Sequence, residues 1–201
     1  MANAKTLKSR LASGEFDARL KEVYLSDKAV EDQKKRDAVI IDEFVRLFGD
    51  NDSIELFSAP GRTEVGGNHT DHNHGKVLAA SVDLDTVAAA AKRDDGIIVE
   101  KSFKFDALEV DISDLEVHTE EFGKSSGLIR GMCAGFKERG YNIGGFNAAS
   151  MSRVLSGSGL SSSAAYEVLI GTILNHLYND GKVSPVEVAK IAQYAENKYF
   201  G

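Results

Sequence analysis

The chain has 201 residues, of which 42% are hydrophobic and 27% charged. That composition suits one sizeable core or two small ones and excludes disorder, collagen-like repeats and coiled coil as overall descriptions. Lys and Arg number 24 against 31 Asp and Glu, a formal net charge of −7, which argues against a nucleic-acid or anionic-membrane partner. The single Cys133 rules out an intrachain disulfide and fits a reducing compartment. Residues 1–10 hold no apolar signal core, and no apolar run approaches the ~20 residues that span a bilayer. A soluble, cytoplasmic protein is expected.

Residues 4–49 read as helical. The clearest piece is 37–48, where Ile40, Ile41, Phe44, Leu47 and Phe48 recur at helical spacing and Gly49 follows as a cap. The charged run at 31–37 reads as a solvated helix face without function. Residues 54–59 predict a strand broken by Pro60-Gly61. Residues 76–92 predict one long or two short strands, and 97–101 and 107–112 two more, with Asp94-Asp95-Gly96 as a turn between strands. Leu128, Ile129, Met132 and Phe136 mark one face of a helix over 128–139 that stops at Gly140. A strand over 146–155 follows. Residues 160–178 are apolar around so much of the circumference that a helix buried on most sides is expected. Ser184-Pro185-Val186-Glu187 is a capping box with Pro at the first helical position. It starts a last helix with Val188, Ile191, Ala192, Ala195 and Tyr199 on one face. No repeat or linker interrupts the chain, so a single α+β domain is expected.

Two loops carry the chemistry. Ser156-Gly157-Ser158-Gly159-Leu160-Ser161-Ser162-Ser163 lies between the 146–155 strand and the buried helix. Its glycines let backbone approach a ligand, and a helix start offers free N–H donors and the positive end of the macrodipole. The hydroxyls can bond phosphate oxygens, and one can ligate Mg²⁺. No Gly-Lys-Ser/Thr ending is present, so this is not a Walker A loop. The competing description is a flexible Gly/Ser connector, which the interrupting Leu160 and the apolar helix beginning inside the run make the weaker one. The second loop, residues 62–75, contains Asn68-His69-Thr70-Asp71-His72-Asn73-His74. His69, Asp71, His72 and His74 are metal-ligand types, but their spacing matches no structural zinc pattern. Adjacent sugar hydroxyls would suit the same donors and acceptors. A polar surface turn is the third description, and composition leaves all three open.

Both loops, in this order, resemble the GHMP family of small-molecule kinases, and within it the galactokinases. The first motif of that family runs Gly-Arg, three variable residues, then a glycine and Glu-His-Thr-Asp-Tyr-Asn-x-Gly. Gly61-Arg62 leads here to Gly67 and then to Asn68-His69-Thr70-Asp71-His72-Asn73-His74-Gly75. The second motif, Gly-x-Gly-Leu-Ser-Ser-Ser-Ala, is matched without a gap from Gly157 to Ala164. The family element Ala-Glu-x-x-Phe-x-Gly is echoed from Ala195-Glu196 to Gly201, with the aromatic and glycine slightly offset.

The resemblance, over about 57–201, implies the N-terminal GHMP-kinase domain, related to the second domain of ribosomal protein S5, for the whole of 1–201. Its parts would be a helical lead-in over about 1–50, the sugar motif and strands over 54–92, and the phosphate loop and helices over 144–201. It implies transfer of the γ-phosphoryl of ATP, as the Mg²⁺ complex, to the anomeric hydroxyl of galactose. Gly157, Ser158, Gly159, Leu160, Ser161, Ser162 and Ser163 would hold the nucleotide phosphates. Ser163 and Glu196 would share the Mg²⁺. Asn68, His69 and Asp71 would bind the sugar, and Arg62 would stabilise developing charge at the acceptor oxygen. Asn68 stands where the family has Glu, and His72 where it has Tyr, so another sugar, such as an N-acetylated hexosamine or a uronic acid, is the alternative substrate. A non-catalytic galactose and ATP sensor is the alternative class. The chain is expected to stop before the family's Met-Asp-Gln segment, with its catalytic Asp, and to lack the ferredoxin-like second domain.

Overall fold

The computed structural model describes residues 2–68, 70, 74–155 and 159–201. Three helices come first, α1 (Ala4–Ala12), α2 (Asp17–Tyr24) and α3 (Asp27–Phe48). Asn3 and Ser26 cap α1 and α3 by accepting from the N–H groups of Thr6 and Ala29, and Gly49, at φ 80°, ends α3. The helix expected over 37–48 is therefore the second half of one of 22 residues. Strands β1 (Glu55–Gly66), β2 (Leu78–Lys92), β3 (Ile97–Ser102), β4 (Leu108–Asp111) and β5 (Phe146–Ser152) form one sheet in the order β1-β2-β5-β3-β4. Every pairing is antiparallel except β3 with β5. The remaining helices are α4 (Ser125–Glu138), α5 (Ser162–Asn179) and α6 (Pro185–Ala195), which continues into a π turn, Glu196–Phe200.

Helices cover both faces of the sheet. Ala88, Ala90, Ile98, Phe146 and Ala148 pack with α4, α5 and α6, while Ala89, Ala91 and Ala149 pack with α1 and α3. A strand buried on both sides has no polar face, and β2 accordingly reads Ala88-Ala89-Ala90-Ala91 in its covered half. Among the described residues no helix is long and apolar enough to cross a membrane.

Four boundaries differ from the sequence-based expectation. β1 does not break at Pro60-Gly61. It is an edge strand, where the missing proline N–H costs nothing, and the register steps from Pro60 opposite Asp85 to Arg62 opposite Ser81 across an irregularity. The strand expected over 146–155 ends at Ser152, and the helix expected from Leu160 starts at Ser162. The turn at 94–96 joins β2 to β3, but β5 lies between those strands, so they form no hairpin.

The charged run at 31–37 is the larger correction. Gln33, Arg36 and Asp37 are buried, because 33, 36 and 37 precede 40, 41 and 44 at spacings of three and four and so share the face that meets the sheet. Arg36, 5% exposed, pairs with Asp85, 2% exposed. Its Nη2 also donates to the carbonyls of Asp85 at 3.0 Å and Met151 at 2.7 Å. Asp85 further accepts from Tyr24 Oη at 2.5 Å and Ser58 Oγ at 2.6 Å. Arg36→Ala would leave a buried carboxylate without its cation. It should cost on the order of 3–5 kcal/mol in urea unfolding, and a loss within experimental error would refute the pairing as a structural element.

Burial pushes the neighbouring Asp37 carboxyl up to about 7, although a hydrogen bond from Gln33 and the Arg36 charge act in the opposite sense. An unfolded Asp titrates near ~3.9. Between those values the folded chain keeps a proton that the unfolded chain has released. Stability should therefore fall as pH rises from about 4 to about 7 and level off above. Asp37→Asn should remove most of that fall and exceed the wild type in stability above about pH 7, by an amount on the order of a few kcal/mol. Urea titrations across this range check it; an unchanged pH slope would rule it out.

Candidate phosphate and cation site

The glycine-serine loop meets α5 at Ser161, which adopts left-handed backbone angles (φ 55°, ψ 68°) and places no side-chain cap on the helix. Among the described residues no side chain caps the first N–H groups of α5, which lie at the positive end of the macrodipole. Of the predicted phosphate-loop residues, Gly159 to Ser163 are described, while Gly157 and Ser158 lie outside the described residues. A cavity of about 300 Å³ opens here, lined by Arg62, Glu64, Leu155, Gly159 and Ser161, Ser162 and Ser163. β1 is stitched to the loop by the Arg62 N–H, which donates to the Leu160 carbonyl at 3.1 Å. Gly61 permits this approach, since a Cβ there would sit 3.1 Å from the same carbonyl oxygen and from Val154. The exposed Arg62 side chain therefore shares one cavity with three of the loop hydroxyls.

Ser163 and Glu196, 33 positions apart, meet: Ser163 Oγ donates to Glu196 Oε1 at 3.2 Å. Glu196 stands where α6 passes into the π turn. That junction is fixed by three glycines of α4 that the sequence analysis did not single out. A Cβ on Gly127 would lie 2.7 Å from the Tyr199 carbonyl oxygen, one on Gly131 2.9 Å from Ala195 Cα, and one on Gly135 2.7 Å from Ile191 Cγ2. Their spacing of four aligns them on one side of α4, and that spacing was the available signal. On the other side, α5 is held to the sheet by Tyr166, whose hydroxyl donates to the buried Glu100 at 3.2 Å. Ser150 donates to the second Glu100 oxygen.

Sequence analysis also missed Glu167, one turn beyond Ser163 on α5. It is 1% exposed, and its Oε1 has no hydrogen-bond partner among the described residues. Burial, and then the charge of Glu196, push its carboxyl up to about 8. Cys133, by contrast, is inert: burial pushes its thiol up to about 12.

The histidine-aspartate loop sits at the far end of β1. His69 and Asp71, with His72 and Asn73, lie outside the described residues. Asn68 is exposed and left-handed (φ 57°), and it is not among the residues lining the 300 Å³ cavity. The loop closes on itself, with Thr70 Oγ1 donating to the Gly67 carbonyl at 2.9 Å and the Gly75 N–H to the Thr70 carbonyl at 2.7 Å. A larger cavity, about 700 Å³, lies between α1, α2 and β1. Its lining includes Tyr24, Gln33, Asp37, Ser58 and Asp85 and touches neither motif loop, so the smaller cavity is the candidate site.

The chain resembles known proteins over the stretches that hold both motif loops. The galactokinase galactose-binding signature matches residues 42–92, and the GHMP kinases N terminal domain matches residues 127–201. The galactokinase of Clostridium beijerinckii is 36% identical over 165 residues, which is 81% of this chain and 42% of the relative. The crystal structure of Lactococcus lactis galactokinase complexed with galactose superposes with a TM-score of 0.72 at 33% identity, over 80% of this chain and 42% of that one. Methanococcus jannaschii mevalonate kinase, at 16% identity and a TM-score of 0.60, shares the fold over 72% of this chain and 46% of its own. The chain spans about two fifths of the length of the curated relatives it matches.

The glycine contacts make a testable demand. Gly131→Val would drive a branched side chain into Ala195 and Tyr199, and helix propensity would recover only a few tenths of a kcal/mol. A net loss of about 1–3 kcal/mol is expected from such overpacking. Wild-type stability in thermal or urea unfolding would show that α4 and α6 can part freely.

Proposed function

Since the chain carries the N-terminal domain of a GHMP kinase together with the galactokinase signature, we propose that it is the N-terminal portion of a galactokinase. The full protein would transfer the γ-phosphoryl of ATP to the anomeric hydroxyl of galactose in the cytoplasm. The observation that carries this reading is the meeting of Ser163 with Glu196 at the uncapped start of α5, in reach of the cavity that Arg62 lines. Phosphoryl transfer needs little covalent help from a protein, and positioning and charge stabilisation supply most of the rate.

Each residue has a part suited to its chemistry. The backbone from Gly157 to Ser163 holds the nucleotide phosphates with N–H groups and hydroxyls. A hydroxyl and a carboxylate are the hard oxygen donors that Mg²⁺ favours, so Ser163 and Glu196 fit that cation. When bound, Mg²⁺ neutralises charge on the phosphate oxygens. Arg62 offers a permanent positive charge near the acceptor oxygen. Asn68, His69 and Asp71 orient the sugar through its hydroxyls. Asn68 keeps the hydrogen-bonding capacity of the family's Glu without its charge, so a panel of sugars belongs in the assay. The family's proton-accepting Asp has no counterpart between Glu196 and Gly201, and the reaction is assigned to the full-length protein.

The test is galactose 1-phosphate formation by that protein. Ser163→Ala and Glu196→Gln should each lower Mg²⁺-dependent turnover by about 10²-fold or more, a loss typical of removing a charge-stabilising contact in a transition state. Near-normal turnover of Ser163→Ala at low Mg²⁺ would remove the loop from the active site. Phosphorylation of N-acetylgalactosamine or a uronic acid in preference to galactose would keep the mechanism and replace the substrate. Binding of galactose and ATP without turnover would make the protein a sensor.

A further inference from the structure

A carboxylate at 1% exposure whose Oε1 has no hydrogen-bond donor is an expensive feature, because a desolvated charge needs a proton, a cation or several donors. Glu167 is such a group. No basic side chain among the described residues acts on it, and the one charge that does is the carboxylate of Glu196, of the same sign. Its position supplies the reason. Glu167 follows Ser163 by four residues on α5, so the two side chains share one face of that helix, and Ser163 is the residue that meets Glu196. A hydroxyl and a carboxylate on one face of α5 are thus both coupled to Glu196, the hydroxyl by a hydrogen bond and the carboxylate by like charge. Mg²⁺ is commonly held by one or two carboxylates plus substrate phosphates, keeping several of its waters.

We propose that Glu167 is the second carboxylate of the cation site, facing the ion from beneath Ser163, directly or through one of its waters, and making the protein's contribution two carboxylates rather than Glu196 alone. The inference rests on the kinase reading above, for which Ser163 and Glu196 are the cation ligands. It adds a residue that neither motif contains.

The test measures cation binding without turnover, in the full-length protein with ADP present and Mn²⁺ as the probe, by the electron paramagnetic resonance of free Mn²⁺. Glu167→Gln keeps size and shape, and it should weaken Mn²⁺ binding by about tenfold or more, the usual effect of losing a ligand or its immediate support. ADP affinity without cation should stay unchanged. Mn²⁺ affinity within twofold of wild type would overturn the proposal. Glu196→Gln separates the two readings. If it loses Mn²⁺ while Glu167→Gln does not, only the role of Glu167 fails; if both bind normally, the cation is not held here and the kinase reading of this site fails with it. Should Glu167→Gln not fold, carboxyl-carbon NMR of the ¹³C-Glu-labelled wild type decides. Substoichiometric Mn²⁺ that broadens the assigned Glu167 carboxyl signal as strongly as that of Glu196 supports the proposal, and a Glu167 signal that stays sharp while that of Glu196 broadens overturns it.

Discussion

The buried pair of Arg36 and Asp85 sets where the rest of the site can be. β2 is exposed over residues 78–84, apart from the half-buried Val82, and buried over 85–91, so Asp85 stands where the strand leaves the helix-covered layers. Beyond that point β1 and β2 continue as a two-stranded arm carrying Arg62 at its root and the loop at 67–75 at its end. A lone two-stranded ribbon is at best marginally stable in water, and its direction depends on what grips its base. Asp85 is gripped by a guanidinium, a phenol and a hydroxyl from three different elements, and Arg36 reaches across to β5 through the Met151 carbonyl. A desolvated charge that requires so many partners tolerates few alternative arrangements.

The helical side of the site is positioned by a different physical means. Where the arm depends on charge, α6 depends on the absence of side chains: Gly127, Gly131 and Gly135 let α4 come close to the Tyr199 carbonyl of the π turn and to Ala195 and Ile191 of α6. That contact carries Glu196 to Ser163. The hydrogen bond between them is long, and stability does not rest on it. Its significance is geometric, since it brings a carboxylate from the end of one helix to the start of another. Close packing transmits small displacements, which makes the glycine stripe of α4 a determinant of the site although no residue of it faces a ligand.

The parts of the candidate site are therefore held by separate supports. Arg62 comes with the arm, the serines with α5 and Glu196 with α6, and one cavity collects the first two. Each half of the candidate site is thus set by its own scaffold.

The sequence by itself determined the class of fold, most of its elements and the family resemblance of the two loops. Gly157 to Ala164 and Gly61 to Gly75 carry that information in contiguous residues, where spacing along the chain is enough to recognise them. The capping of α6 by Ser184 and the end of α3 at Gly49 are local in the same sense. What the tertiary structure decided is everything that depends on a partner distant in sequence. Residues 31–37 resemble a solvated face because a count of charges does not reveal that Asp85, 49 positions after Arg36, waits on the sheet. Pro60-Gly61 resembles a break because only the sheet order makes β1 an edge. Glu167 resembles one polar residue in an apolar helix until burial and the neighbouring Glu196 show it as a carboxyl whose ionisation is opposed. In each case the energy that decides the outcome, desolvation or close packing, exists only once the distant segments have met.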